Sequence, residues 1–471
     1  MPRFIFTTTA LLGLLAGCAA PDLGPKPAPA APQSLASSAS LAGDPGAWPV
    51  EGWWRAWGDP QLDALIAEGL AGSPDLAAAA ARVRAADALA QQAGAALLPR
   101  VGAEASAGGV QQSKTMGIPP DFVPDGIQDT GHVAGTFAFD LDLWGKNRAA
   151  LAAATSEAEA ARVDEAQARL MLTTGIAAAY ADLAGQYEAL DVANEALRVR
   201  GASAKLSADR ASAGLDNQVS AKGNESRAEG ARADITAAEE AIALTRHRLA
   251  ALIGAGPDRG DAIARPALGA PPLGLPADAG IALIGRRPDI VAARLRAEAA
   301  AKRIDVARAD YYPNISLSAL VGFQSLGLSN LFEGDSLYGN GGAAISLPIF
   351  EGGRIEGRYR GARADYDAAV AQYDRTLIDA LRDVADIARS RTATARQLEQ
   401  RRAALAAATE AAHLAGLRYR AGLSNQLVQL TAEDTMVVLS RAVADLEARE
   451  RSLDIALIRA LGGGYRAEGE E

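Results

Sequence analysis

The 471-residue chain contains one cysteine, Cys18, and three histidines, His132, His247 and His413. A lone thiol forms no intramolecular disulfide, and no second cysteine completes a zinc or redox pair. The histidines are scattered, make no His-Glu-x-x-His pair, and suit surface or packing positions. No Gly-x-x-x-x-Gly-Lys-[Ser/Thr] phosphate loop occurs. Gly254-Ala255-Gly256 neither follows a strand nor opens a helix, so it reads as a turn. Four methionines are too few for a soft-metal relay. No titratable cluster suggests catalysis. We therefore expect no catalytic residue, no metal and no cofactor apart from a covalent group on Cys18. The residues before Cys18 explain its place. Arg3 supplies a positive charge, Phe4 to Ala16 is mostly apolar, and Leu15-Ala16-Gly17 brings small residues to the thiol. This is a short secretory signal, too short to span a bilayer as a helix.

The Leu-Ala-Gly-Cys box resembles a bacterial lipoprotein signal. Residues 1–17 would then be cut away, leaving Cys18 with a diacylglycerol on its thiol and an acylated amine. Several acyl chains anchor stably, because each buried methylene contributes about 0.8 kcal/mol. The competing reading is an ordinary signal with an incidental cysteine. Ala19 stands where, by the same resemblance, an Asp would favour the inner membrane, so the expected site is the outer membrane. Residues 18–50 read as a lipidated tether in which Pro, Ala and Ser dominate and little is available to pack.

Net charge is −10, which argues against a nucleic-acid partner, since phosphate binding needs a basic face. Aromatic content is 5% and Ala is abundant, so long, closely packed helices are expected. After the signal no uninterrupted run of 18 apolar residues occurs. That excludes spanning helices but not membrane strands, whose apolar residues alternate.

The chain repeats itself. The segment from Pro74 matches the one from Pro288, FDLDLWGKNR at 139–148 matches ISLPIFEGGR at 345–354, and AGLDNQ at 213–218 matches AGLSNQ at 421–426. Each half reads helix, strand, loop, strand, long helix, turn, helix. The first repeat spans 51–253 with a hairpin at 99–143. The second spans 281–464 with a hairpin at 313–349. A Pro/Gly-rich connector, 254–280, joins them, and 465–471 forms a tail. Long helices are expected from Lys146 to about Ser212 and from Arg354 to about Ala421, each roughly 100 Å long. Shorter ones, 62–98 with 215–253 and 281–310 with 423–461, sum to a long one and could stack end to end beside it. Leu377, Leu381, Val384 and Ala388 in one helix, and Leu439, Val443, Leu446, Leu453 and Leu457 in another, form coiled-coil seams.

The strands alternate over membrane-spanning length. In 133–143, Val133, Phe137, Phe139, Leu141 and Leu143 share one face, while Ala134, Thr136, Asp140 and Asp142 share the other. The segments 315–323 and 343–349 alternate likewise, and 101–109 is an Ala/Gly-rich fourth strand. The competing reading is a small soluble antiparallel sheet. The loops 110–130 and 324–340 suit an extracellular side. Four strands cannot close a barrel, and open edges are not tolerated in lipid. Other copies must complete it, and three would give twelve strands.

The segments WWRAWGDPQLDALIAEGLAGSPDLAAAAARVRAA, FDLDLWGKNR, LPIFEGGR and YRAGLSNQLVQLTAED follow one another from Trp53 onward. In that order they resemble the TolC-like outer-membrane efflux proteins, specifically the NodT-type lipoprotein branch that serves RND pumps. The resemblance implies a mainly α fold with a membrane β-barrel. It implies a homotrimer whose 12-stranded outer-membrane barrel, four strands per chain, continues into a long periplasmic α-helical barrel with a mixed equatorial belt. The belt would draw on the N-terminal segment, the 254–280 connector and the tail. It further implies a passive exit duct for small toxic compounds, coupled through a periplasmic adaptor to an inner-membrane RND transporter and bathed in outer-membrane lipid. Within the duct class the runner-up is type I protein secretion, and outside it a structural periplasmic coiled-coil lipoprotein.

The resemblance also places a periplasmic gate at the helix tips, near 214–223 and 422–434. Positions that carry Asp in relatives fall on Val428 and Thr431. Of the residues that tie the tips together in some relatives, Tyr419 is retained. The Asp-equivalent is Ser220 and the Arg-equivalent Ser424. The expected closure is by apolar and hydroxyl packing around Val428 and Thr431, which can exclude water by dewetting. Glu433 and Asp434 are the alternative acidic rim. The AGL triplets at 213–215 and 421–423 mark the turns where an adaptor would dock.

Overall fold

The structure is a computed structural model and describes residues 20–31, 34–36, 40–41, 46–115, 117–269 and 274–467. The signal segment and Cys18 lie outside the described residues. After a short 3-10 turn at Trp53–Trp57 come α1 (Pro60–Gly72), α2 (Pro74–Ala95), β1 (Arg100–Val110), β2 (Gln128–Leu141), α3 (Lys146–Ser212) and α4 (Gln218–Leu252). The one-turn α5 (Asp258–Asp261) sits in the connector. The second half follows with α6 (Ala279–Arg286), α7 (Pro288–Ala309), β3 (Asn314–Leu326), β4 (Leu337–Ser346), α8 (Arg354–Arg420) and α9 (Gln426–Ala460). The element order recurs, and so do the lengths: α3 and α8 have 67 residues each, α4 and α9 have 35. The span 62–98 is divided into two helices at Ser73-Pro74, where a proline at the first helical position marks a start, as Asp59-Pro60 does for the first. Ser73, in extended conformation (φ −68, ψ 122), ends α1, because Pro74 disfavours helical geometry in its predecessor.

The chain divides into two compact units. Unit 1 comprises 83–161 and 293–372 with the N-terminal segment to Pro29, and holds the sheet. The four strands form an antiparallel meander ordered β1-β2-β3-β4. Residues paired directly across such strands project to the same side. One side carries the rows Val101–Phe137–Ala319–Gly341, Ala105–Val133–Phe323–Leu337, Phe139–Leu317–Ala343 and Leu141–Ile315–Ile345. The other carries Arg100–Ala138–Ser318–Gly342, Gly102–Thr136–Leu320–Asn340, Ser106–His132–Gln324 and Asp140–Ser316–Ala344. Apart from Asp129 and Ser325 at its loop end, that first face is apolar, and the other is mostly polar. β1 and β4 are the outer strands, and β1 is exposed along its whole length.

Two strands differ from their expected bounds. β2 begins five residues before 133 and stops at Leu141, because the Asp142 carboxylate accepts the N–H groups of Asn147 and Arg148 and so starts α3. β4 runs 337–346 rather than 343–349. Its first half, Leu-Tyr-Gly-Asn-Gly-Gly, lacks alternation, and Pro348 cannot donate to a ladder. Gly322 is required by close approach, since a Cβ there would lie 2.2 Å from the Val133 carbonyl oxygen.

The tether also differs from expectation, because residues 24–27 pack on α8. Arg363 donates to the carbonyls of Gly24 and Pro25, and the Tyr366 hydroxyl donates to that of Pro27 at 2.9 Å. A proline-rich extended chain makes no internal hydrogen bonds, so its carbonyls are free to accept.

Unit 2 comprises 30–82, 162–292 and 373–471. Its core gathers Trp53, Trp57, Leu62, Leu65 and Ile66 with Ile176, Tyr180 and Leu183 of α3, Leu249 of α4, Ile263 of the connector and Ile455 and Ile458 of α9. Asp59 caps α1 through the Gln61 N–H and accepts from the Tyr180 hydroxyl at 2.7 Å and the Ala267 N–H at 2.8 Å. Burial works to raise the Asp59 carboxyl, but these donors outweigh it and hold it below the usual carboxylate range. The connector is held again by Gly269 donating to the Trp57 carbonyl, the N-terminal segment by Gly46 donating to Leu275, and the tail by Ala467 donating to Gly285.

The α8 seam is buried at Leu377, Leu381 and Val384. In the α9 seam Val443 and Leu457 are buried and Leu439, Leu446 and Leu453 half-buried, while Val437, Ala444 and Ile458 are buried beside them. Asp454 interrupts this stripe and is paired to Arg391 at 2.9 Å. Burial pushes its carboxyl up to about 6, against the pull of Arg391, and nearby Glu450 adds to the rise. A raised carboxyl favours folding while protonated and loses that contribution as pH rises through about 6. Asp454→Asn is therefore expected to raise the melting temperature more at pH 7.5 than at pH 5. Calorimetry at both values checks this, and an equal change at both would count against it.

Candidate functional site

The tips of unit 2 are built alike. At the first, Gly214 is left-handed (φ +73), Leu215 N–H donates to the Arg210 carbonyl, and the Asn217 side chain caps α4 at the Ser220 N–H. At the second, Gly422 (φ +69), Leu423 to Arg418, and Asn425 capping at the Val428 N–H repeat the device. Glycine ends each long helix without a Cβ penalty, and asparagine starts each returning one. The AGL-x-N-Q pattern is thus a turn specification.

Val428 is 52% exposed. Thr431 is exposed, with its hydroxyl donating to the Leu427 carbonyl at 2.8 Å. Tyr419 is also exposed. Ser220 and Ser424 are half-buried and bond within their own turns. Leu215, Val219, Leu423 and Leu427 are exposed as well, so both tips carry bare apolar side chains. Val219 was legible in principle: the 208-residue offset that aligns the turns pairs it with Leu427, and Ser220 with Val428.

Glu433 and Asp434 lie two turns inside α9 and face α3. Arg198 donates to Glu433 at 3.1 Å, where Gln429 also donates, and Arg200 to Asp434 at 2.9 Å. Arg198 also grips Glu195 through two bonds, which holds that carboxyl below its ordinary range. Below these pairs, Ala196, Val199, Ala231, Leu430 and Val437 form a small apolar cluster joining α3, α4 and α9. No sequence signal paired these arginines with carboxylates some 235 residues away.

On the polar face of the sheet, His132 and Tyr338 meet ring nitrogen to hydroxyl. Among the described residues no group of His, Cys, Asp or Glu is placed to hold a metal, and no helix is long and apolar enough to cross a membrane.

An amphipathic sheet fed by very long helices suits a channel-forming protein. The comparisons place it. The family described as outer membrane efflux protein matches residues 65–255 and 282–463. The chain is 40% identical over 361 residues to the fusaric acid resistance protein FusA of Burkholderia cepacia, covering 74% of this chain and 67% of that one. It is 33% identical over 429 residues to the multidrug resistance outer membrane protein MdtP of Escherichia coli (strain K12), covering 89% and 88%. The crystal structure of the outer membrane protein VceC of Vibrio cholerae superposes with a TM-score of 0.82 at 41% identity, over 89% of this chain and all of that one. The chain belongs to the outer membrane efflux protein family. It is an outer-membrane exit duct of efflux pumps and not an enzyme.

Proposed function

We propose that three copies join β1 to β4 into a twelve-stranded barrel, with α3, α4, α8 and α9 continuing it as a helical tunnel through the periplasm. The observation that carries this is the sheet: one face apolar except for Asp129 and Ser325 at its loop end, the other mostly polar, and two outer strands whose pairing groups lipid would leave unsatisfied. The connector, N-terminal segment and tail form the equatorial belt, and a lipid on Cys18 fastens the chain to the outer membrane. A periplasmic adaptor docks at the AGL tips and couples the duct to an inner-membrane RND transporter. The names of FusA and MdtP support small toxic compounds as cargo. Electrophoresis of membrane extracts tests the assembly. A trimer-sized species that collapses to monomer on boiling is expected, and a monomer indifferent to heating would refute it.

The gate closes by packing of Val428 and Thr431. The exposure of both tips' apolar residues supports this, as do the arginine partners of Glu433 and Asp434, which an acidic rim would have to give up. Thr431→Asp is expected to make the conductance of the channel in planar bilayers sensitive to block by trivalent cations, to which wild type is indifferent. If the variant and wild type behave alike, Thr431 does not line the aperture.

A further inference from the structure

Unit 1 contains a groove that the duct reading does not use. It is a cavity of about 630 Å³ between α3 and α7, the helices attached to the two central strands. Its sheet end is formed by Leu143, Trp144 and Tyr312, and its far end by Arg148, Lys302, Asp305 and Arg308.

Leu143 and Trp144 lie in the turn that follows β2, two and three residues beyond the apolar-face residue Leu141, and Leu143 is 56% exposed. The polar-face residues Asp140, Asn314 and Ser346 line an adjoining cavity, with Asp310, that shares Leu143, Trp144 and Tyr312 with the groove. On α7, Lys302, Asp305 and Arg308 recur at intervals of three and share a stripe, and Tyr312 lies in the turn just past its end. Arg303 and Asp310 turn elsewhere, to Glu157 and to Lys146 and Arg358. The position is internal to the protomer's own wall, so a copy joining at β1 or β4 does not cover it.

Trp144 and Tyr312 stack with centroids 4.8 Å apart and planes 20° from parallel. The indole N–H is held by the Pro313 carbonyl at 2.7 Å, yet Trp144 stays 50% exposed. Such amphipathic rings belong at a membrane boundary. Arg308 lies in the last turn of α7, four residues before Tyr312. Arg148 is already held by Asp142 at 3.2 Å. Lys302, Asp305 and Arg308 have no ion-pair partner among the described residues. A carboxylate flanked by two unpaired cations complements a group carrying both a phosphate and an ammonium.

We propose that this groove holds the headgroup of a zwitterionic, amine-bearing phospholipid of the periplasmic leaflet. Lys302 and Arg308 take the phosphate, Asp305 takes the ammonium, and the stacked rings and Leu143 take the glycerol and the first acyl carbons. The orientation rests on the duct reading.

The test uses the full-length protein purified in detergent and titrated with phosphatidylethanolamine or phosphatidylglycerol, with bound lipid counted by native mass spectrometry. Wild type is expected to prefer phosphatidylethanolamine. A Lys302→Ala, Arg308→Ala double variant is expected to bind it about tenfold more weakly, the loss of one or two charge-assisted contacts. Asp305→Asn is expected to lose the preference while keeping phosphatidylglycerol binding. Inorganic phosphate at millimolar concentration is expected not to displace the lipid. Equal binding of both lipids by wild type, unchanged binding by the double variant, or displacement by phosphate would each overturn the proposal. All leave the heat-modifiable trimer intact, so failure here is distinct from failure of the duct.

Discussion

Val321→Arg is expected to abolish accumulation of the folded protein in the outer membrane. Val321 lies midway along β3 on the apolar face, opposite Gly135 and Gly339, and is 63% exposed in the single chain. An arginine facing lipid near the bilayer midplane costs about 2–4 kcal/mol, and a barrel of three copies incurs it three times. The control is Ser318→Arg, on the same strand but the polar face, which is expected to assemble normally. Heat-modifiable species in membrane fractions report the difference. Equal assembly of the two variants would mean that the apolar face does not meet lipid.

Asp310→Ala is expected to destabilise the protein by about 2–3 kcal/mol, the scale of losing hydrogen bonds to a charged group. The Asp310 side chain is only 8% exposed and accepts from Lys146 at 2.7 Å and Arg358 at 2.6 Å. It therefore ties the end of α7 to the first turns of α3 and α8, just below the sheet. Burial works to raise this carboxyl, but the two cations outweigh it and hold it below its usual range. Its contribution is then full above the ordinary carboxylate pKa and is lost as pH falls through the lower folded value. Denaturation at pH 7 and at pH 3 is expected to show a gap between wild type and Asp310→Ala that narrows in acid. A gap that does not change with pH would contradict the ion-pair account.

The long helices were legible because nothing interrupts them. From Lys146 to Ser212 no proline occurs, and Ala, Leu, Glu and Arg dominate. The tip turns were legible from Gly214 and Gly422 followed by Asn217 and Asn425, residues whose conformations the turns demand. β3 was legible because Ile315, Leu317, Val321 and Phe323 alternate with small or polar residues. The first half of β4 was hidden, because Gly339, Gly341 and Gly342 carry no side chain to alternate and the strand is imposed by pairing with β3. The docking of Gly24 to Pro27 on Arg363 and Tyr366 was hidden for another reason, since carbonyl acceptors leave no trace in composition. The same holds at the tips. Glu433 and Asp434 could be named from sequence, but Arg198 and Arg200 become their partners only when α3 and α9 lie side by side.

The central claim, an outer-membrane exit duct, is tested most directly by dye accumulation in intact cells. The strain would lack this protein and the other ducts of its host, complemented by wild type or by Val321→Arg. The account predicts that deletion raises the intracellular level of an amphiphilic dye, that wild type restores efflux, and that Val321→Arg does not. Accumulation unchanged by deletion, or equal restoration by the two forms, would contradict it.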